Sequence, residues 1–189
     1  MQTGELTWEK ALAVVEPQIN AEGIHVWPFD LSFPIDVRFF DLDGCQNTRM
    51  NRHDYYEVFY VHSGQAVCQI QDRSFPVTIG DLAVIGSSLY HRSTGHASQP
   101  MKVFALFFLP ELVRSTEATG DGMEYMMPFF LQGKDFPHVI PACSGIPARA
   151  VELIKRIQAE LPAASNRARL TVLTYLKMIL MLMVNHFTA

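Results

Sequence analysis

Asn51-Arg52-His53-Asp54-Tyr55-Tyr56-Glu57-Val58-Phe59-Tyr60-Val61-His62-Ser63-Gly64 is the stretch whose reading decides the fold. From Tyr55 to His62 it is rich in Tyr, Phe and Val, and Ser63-Gly64 stops it, so it reads as a β-strand. Side chains alternate along a strand, which puts His53, Tyr55, Glu57, Phe59 and Val61 on one face. Asp54, Tyr56, Val58, Tyr60 and His62 take the other. The first face joins polar groups at one end to hydrophobes at the other. A barrel interior that holds a small ligand needs that combination, an apolar floor with a few polar groups near the mouth.

Working outward, the same texture runs from Asp36 to Phe108. Val37 to Leu42 is rich in β-formers and stops at Asp43-Gly44. Gln65 to Gln71 ends at Asp72-Arg73, Phe75 to Ile79 at Gly80-Asp81, and Leu82 to Ile85 at Gly86-Ser87-Ser88. Met101 to Leu109 is the longest run and ends at Pro110. Short strands separated by turn signals, with no room for crossover helices, predict an antiparallel sandwich or barrel. Glu111 to Ser115 reads as a helical turn and Thr116 to Gly122 as a polar loop. Tyr125–Phe130 and Phe136–Ile140 are apolar patches, read as loop packing or last strands.

Before the strands, residues 7–22 read as a short helix capped by Thr7, with Pro17 near its end. Trp27-Pro28-Phe29-Asp30 and Phe33-Pro34 form an extended arm. It reads first as a connector, with Trp27 and Phe29 as the residues of a flap if the arm folds back over the barrel. After Pro141 the period changes to helical. Ser144 and Pro147 start a helix in which Ala148, Val151, Ile154 and Leu161 fall near one face, with Ile157 beside it. Pro162 stops it and Ser165 caps the next, which runs to about Phe187. Leu173, Leu176, Leu180 and Val184 recur there at three- and four-residue steps, and Met178 to Met183 make the helix apolar nearly all round. Such a helix must be covered on several sides, so these four residues are the expected interface of a homodimer.

Composition bounds the function. Hydrophobic residues make up 49% and charged residues 18% of 189 residues, ordinary for one globular domain with a core. The net charge is −4, so the domain as a whole is a poor partner for nucleic acid. The charge is uneven: residues 1–144 carry nine Lys/Arg against seventeen Asp/Glu, and residues 145–189 carry six against two. The basic end reads as a solvated helix face. Cys45, Cys68 and Cys143 are far apart and odd in number, which fits buried thiols in a reducing cytoplasm. No apolar signal block and no membrane-length uncharged stretch is read, so no membrane partner is expected. A Gly-rich phosphate loop, a Ser-His-Asp signal and a paired-carboxylate motif are absent from the reading, and no catalytic residue is assigned.

The spacing Asn51-x-His53-x3-Glu57-x6-Gly64 followed by Gly80-x5-Gly86-x-Ser88-x2-His91 resembles the two motifs of the cupin superfamily. Asn51 stands where that family's first histidine stands, and Gly86 and Ser88 where it has proline and glycine. His53-Asp54-Tyr55-Tyr56-Glu57-Val58, Tyr60-Val61, Ser63-Gly64, Gly80-Asp81-Leu82 and Tyr90-His91-Arg92, with the helical tail, look like the effector-sensing domain of AraC-type (AraC/XylS family) transcriptional regulators. The resemblance implies a mainly β fold: a cupin-like double-stranded β-helix, or jelly-roll barrel, with a short N-terminal helix and a C-terminal two-helix hairpin. Residues 1–35 would be the helix and arm, 36–143 the barrel, and 144–189 the dimerising hairpin. It implies a small polar organic effector held by Arg38, Asn51, His53, Tyr55, Glu57 and His91, and no required cofactor. DNA would be contacted only through helix-turn-helix units outside this sequence, which ends at Ala189. The alternative is a metal-dependent cupin enzyme of dioxygenase or isomerase type. Its divalent cation would sit on His53, Glu57 and His91, a two-histidine, one-carboxylate set suited to iron(II). His25, His62, His96, His138 and His186 show no partner spacing and read as surface or packing residues.

Overall fold

The computed structural model describes residues 20–42, 50–95, 99–113 and 122–189. The expected N-terminal helix lies outside these residues except for its last positions, where Asn20–Gly23 is a turn closed by the Asn20 side chain. The expected loop 116–122 lies almost wholly outside them too.

The described residues hold eight strands: β1 (Ile35–Leu42), β2 (Tyr56–Ser63), β3 (Gln65–Ile70), β4 (Arg73–Thr78), β5 (Leu82–Ile85), β6 (His91–Gly95), β7 (Met101–Phe108) and β8 (Val139–Ile140). The helices are α1 (Gly122–Tyr125), α2 (Met127–Phe130), α3 (Ile146–Glu160) and α4 (Asn166–Phe187). All named strand pairs are antiparallel. Five strands form one sheet in the order β1-β7-β2-β5-β8, and three form a second in the order β4-β3-β6. The two sheets face each other as a cupin barrel that is not closed. Helices take 36% of the structure, so "mainly β" understates the helical share. Two expectations shift here. Tyr125–Phe130 is helical rather than loop packing or strand, and His91–Gly95 is a strand that its polar composition concealed.

The five-stranded sheet is apolar on both faces because both are covered. Val58, Leu106, Phe104 and Val37 face α3 and α4, in one core cluster with Ile154, Ile157, Leu176, Ile179 and Leu180. Phe59, Val61, Ala105 and Phe107 face the second sheet, in another cluster with Cys68, Ile70 and Val77. Strands β2 and β7 therefore carry the barrel interior on one side and the helical hairpin on the other.

The hairpin forms much as its pattern predicts. Ser165 Oγ accepts a hydrogen bond from Ala168 N at 3.1 Å and caps α4. In α3 the buried face is Pro147, Ala150, Val151, Ile154 and Ile157, whereas Ala148 is exposed and Leu161 only half-buried. Leu176 and Leu180 correct the expected dimer interface. Both are fully buried against the barrel of their own chain, so no partner can touch them. Leu173 and Val184 are half-buried. The apolar side chains of α4 that remain exposed are Leu170, Met178 and Met181. Asn166–Phe187 is also long and apolar enough to cross a membrane by length and composition, a feature shared by helices that form a core.

Gly64 links β2 to β3 at φ +77°, and a Cβ there would overlap the carbonyl of Pro100. Gly64→Ala is expected to lower stability by about 2–4 kcal/mol, from the left-handed backbone and the overlap together. A urea midpoint within error of the parent would contradict this.

Candidate functional site

Glu57 of the first motif lies in β2, whereas Asn51 and His53 precede the strand and are held by backbone bonds. Asn51 N donates to His91 O at 3.1 Å and His91 N to Asn51 O at 2.8 Å, which brings the two motifs side by side. Ser88 N donates to His53 O at 2.7 Å. Ser88 sits at φ +66°, in the left-handed region where a glycine is favoured. Ser88→Gly is accordingly expected to raise stability by about 0.5–1 kcal/mol, readable as a shifted thermal midpoint.

His53, Glu57 and His91 converge, with one ligand atom from each lying within 4.8 Å of the others. His53 Nδ1–H donates to Tyr55 O at 2.8 Å, and its ring stacks on Tyr55 with centroids 3.8 Å apart. His91 Nδ1–H donates to Leu89 O at 2.9 Å. Both rings are thus oriented by carbonyls and turn Nε2 toward the carboxylate. His53 Nε2 lies 3.0 Å from Glu57 Oε2, and His91 Nε2 lies 3.7 Å from the same oxygen.

The electrostatics follow from burial. Burial, with help from His53, pulls the His91 imidazole down to about 4 against the pull of Glu57, so it is neutral at pH 7 and presents a lone pair. Burial pushes the Glu57 carboxyl up, but the hydrogen bond from His53 and the nearby imidazoles outweigh it, so its pKa is lowered overall. Acceptor atoms therefore point at one another, and a positive group must stand among them. A proton on His53 Nε2 meets that need, and so does a divalent cation.

The donor set fits such a cation. Atoms sharing a metal at about 2.1 Å stand about 3–4 Å apart, as Glu57 Oε2 does from each imidazole nitrogen. Anchoring of Nδ1 by a carbonyl is the usual outer support of a ligating histidine. Asn51, buried beside His91, offers an amide where a further imidazole would strengthen the set.

A cavity of about 120 Å³ opens beside this cluster. His25, Asn51, Tyr55, Glu57, His91, Arg92 and Ser93 give its polar wall; aromatic and aliphatic side chains such as Phe40, Phe59, Ile85 and Phe107 give its apolar one. Five of the six expected ligand residues are thus brought together: Asn51, Tyr55, Glu57 and His91 line the cavity and His53 stands behind them. Arg38 is the exception and is corrected. It sits on the edge strand β1, half-exposed, its Nε donating to Asp36 Oδ2 at 2.8 Å and its guanidinium 5.5 Å from the Trp27 ring centroid. An edge strand leaves room for a long side chain to reach solvent, and a carboxylate two residues away holds it there.

His25 is the residue that sequence reading missed. Ile24 pairs with Arg52 as a parallel bridge, and His25 N donates to Arg52 O at 2.7 Å, so the arm joins the barrel wall. Trp27 is buried against Phe107 with ring centroids 4.9 Å apart, and its indole N–H donates to Asp36. The arm is thus part of the core rather than a plain connector. No spacing rule links His25 to Tyr55, thirty residues away. His138 is buried too, but its ring bonds the Val84 carbonyl and is a packing residue, as expected.

Residues 40–107 match the family model of the cupin domain, and the chain carries that domain. Among solved structures, it is similar to a cupin 2 domain-containing protein from Halorhodospira halophila (24% identity, 40% of this chain and 52% of that one, TM-score 0.38). It is also similar to the oxalate decarboxylase of Bacillus subtilis, a protein with Mn(II) centres (24% identity, 41% of this chain and 22% of that one, TM-score 0.36). Apo ToxT K231A from Vibrio cholerae aligns over 82% of this chain and 58% of that one at 11% identity, with a TM-score of 0.53. This chain thus spans about half the length of the first of these proteins. No curated protein matches it.

Proposed function

We propose that this cupin domain with its helical hairpin is the effector-sensing and dimerisation part of an AraC-type transcriptional regulator, working in the cytoplasm. A small polar molecule occupies the cavity and contacts Asn51, Tyr55, Glu57 and His91, with His53 orienting the carboxylate. The observation that carries the reading is the double duty of strand β2. Glu57 and Phe59 line the cavity while Tyr56, Val58 and Tyr60 pack toward the hairpin. Occupancy of the cavity and the seating of α3 and α4 therefore act on one strand. A ligand that prefers one seating shifts the hairpin by its difference in affinity for the two. The motifs of the AraC-type sensor support the reading, and the fold likeness to ToxT, an AraC-family regulator, spans barrel and hairpin together. Helix-turn-helix units outside residues 1–189 would make the DNA contact.

The second copy meets the exposed stripe Leu170, Thr174, Met178 and Met181 rather than the buried leucines. Sedimentation tests this directly. The parent is expected to be a dimer at micromolar concentration, and Leu170→Asp with Met178→Asp a folded monomer. A monomeric parent would refute the dimerisation role.

The second reading, a metal-dependent cupin, is favoured by the carbonyl-anchored imidazoles facing Glu57. A cation on His53, Glu57 and His91 would supply Lewis acidity with open positions for a substrate. Elemental analysis of untagged protein separates the two. Stoichiometric metal that is lost on His53→Ala supports the second reading, and metal-free protein that binds an organic ligand supports the first.

A further inference from the structure

Among the described residues, one buried side-chain nitrogen or oxygen has no hydrogen-bond partner, and it is Nε2 of His25. Buried polar atoms are nearly always paired, so an orphan at a cavity wall asks for a visitor. The rest of the ring is committed. Its Nδ1 lies 2.6 Å from the Tyr55 hydroxyl, and its faces and edges meet Trp27 and Tyr55. The buried Tyr55 hydroxyl has no other partner among the described residues, so its proton goes to Nδ1, which accepts. Burial also pulls the imidazole down to about 4, so it is neutral and its one proton sits on Nε2. His25 therefore offers an unused N–H at the cavity that Glu57 and His91 also line.

The charges choose the visitor. Glu57 is an ionised carboxylate at the same wall. Arg92 also lines the cavity, but its Nε is turned to Gln69, to which it donates at 3.1 Å. A negatively charged ligand would meet that carboxylate, and the one Arg or Lys among the cavity's described lining residues, Arg92, is engaged with Gln69. Size narrows the class further. An apolar cavity of about 150 Å³ takes benzene, so the 120 Å³ here takes a ligand of no more than about six non-hydrogen atoms.

We propose that His25 is a ligand-recognition residue whose Nε2–H donates to a carbonyl or hydroxyl oxygen of a small uncharged compound, while Glu57 accepts from a hydroxyl at its other end. The proposal rests on the ligand-binding reading of the cavity and deepens it. The arm then supplies one of the two polar contacts that define the ligand.

Titration with dihydroxyacetone, glycerol and the similarly sized anion lactate tests it, followed by imidazole ¹⁵N shifts and dissociation constants. Dihydroxyacetone or glycerol is expected to shift His25 Nε2 together with the His53 and His91 rings, and to bind more tightly than lactate. His25→Phe, which keeps the ring packing, is expected to bind about ten- to a hundredfold more weakly, and His25→Gln to recover part of the loss. The His25 shift in the parent is read without any variant, so a misfolded substitution leaves the test standing. Equal binding by parent and His25→Phe, lactate binding more tightly, or a His25 resonance that stays still while His53 and His91 move would overturn this proposal alone. If no probe moves any ring of the cavity, both the proposal and the ligand-binding reading of the cavity fall.

Discussion

Leu180→Ala is expected to destabilise the chain by about 3–5 kcal/mol, while Met178→Ala on the same helix changes stability by less than about 1 kcal/mol. The two residues are neighbours on α4 but not in the fold. Leu180 is fully buried in the cluster that joins the hairpin to the five-stranded sheet, and Met178 is 49% exposed. Truncating Leu180 removes three carbons from a closed core that collapses only partly around the gap. The loss is comparable to the whole stability of a small domain, about 5–15 kcal/mol. Urea unfolding of both variants measures it. A Leu180→Ala midpoint close to that of the parent would mean that the hairpin swings free of the barrel. Association reports the reverse pattern: Met178 lies on the stripe offered to a second copy, and Leu180 does not.

Acidification is expected to cost about 4 kcal/mol between pH 7.5 and 4.5, chiefly through His25 and His91. Burial pulls both imidazoles down to about 4, from the 6.5 of an unfolded chain. Above about pH 7.5 neither the folded nor the unfolded chain binds these protons, and the histidines add no pH dependence. Between 6.5 and 4 the unfolded chain takes up protons that the native chain refuses, so stability falls as pH falls. The Glu57 carboxyl, held below its usual range, works in the same direction at the lower end of the window. Urea unfolding across this range reads the effect, and His25→Phe should remove about half of it. A flat profile from pH 7.5 to 4.5 would show that these rings titrate normally and that the cavity is wetter than its burial implies.

Much of this molecule was legible in its sequence because alternation is a local property. The run from Tyr55 to His62 named its two faces, and the structure places Glu57, Phe59 and Val61 inside and Tyr56, Val58 and Tyr60 toward the helices. The Ser165 cap and the hairpin it begins were readable for the same reason, since a cap and a helical period lie within a few residues. Strand β6 was not readable. Its residues are polar because His91, Arg92 and Ser93 line the cavity, with Arg92 also bonded to Gln69, so no hydrophobic pattern marks it.

The sequence by itself determined the strands other than β6 and β8, the hairpin and the pairing of His53 with Glu57, because each follows from spacing within a few residues. Only the tertiary structure decided that His91 meets that pair across the Asn51 bridge, that Arg38 turns to Asp36, and that Leu180 is core while Met178 is surface. It alone brought His25 to Tyr55. Such contacts join residues far apart in the chain, and an apolar helix carries no local mark of which side the barrel will cover. Burial is set by what packs against a residue, and that is fixed only when the whole chain has folded.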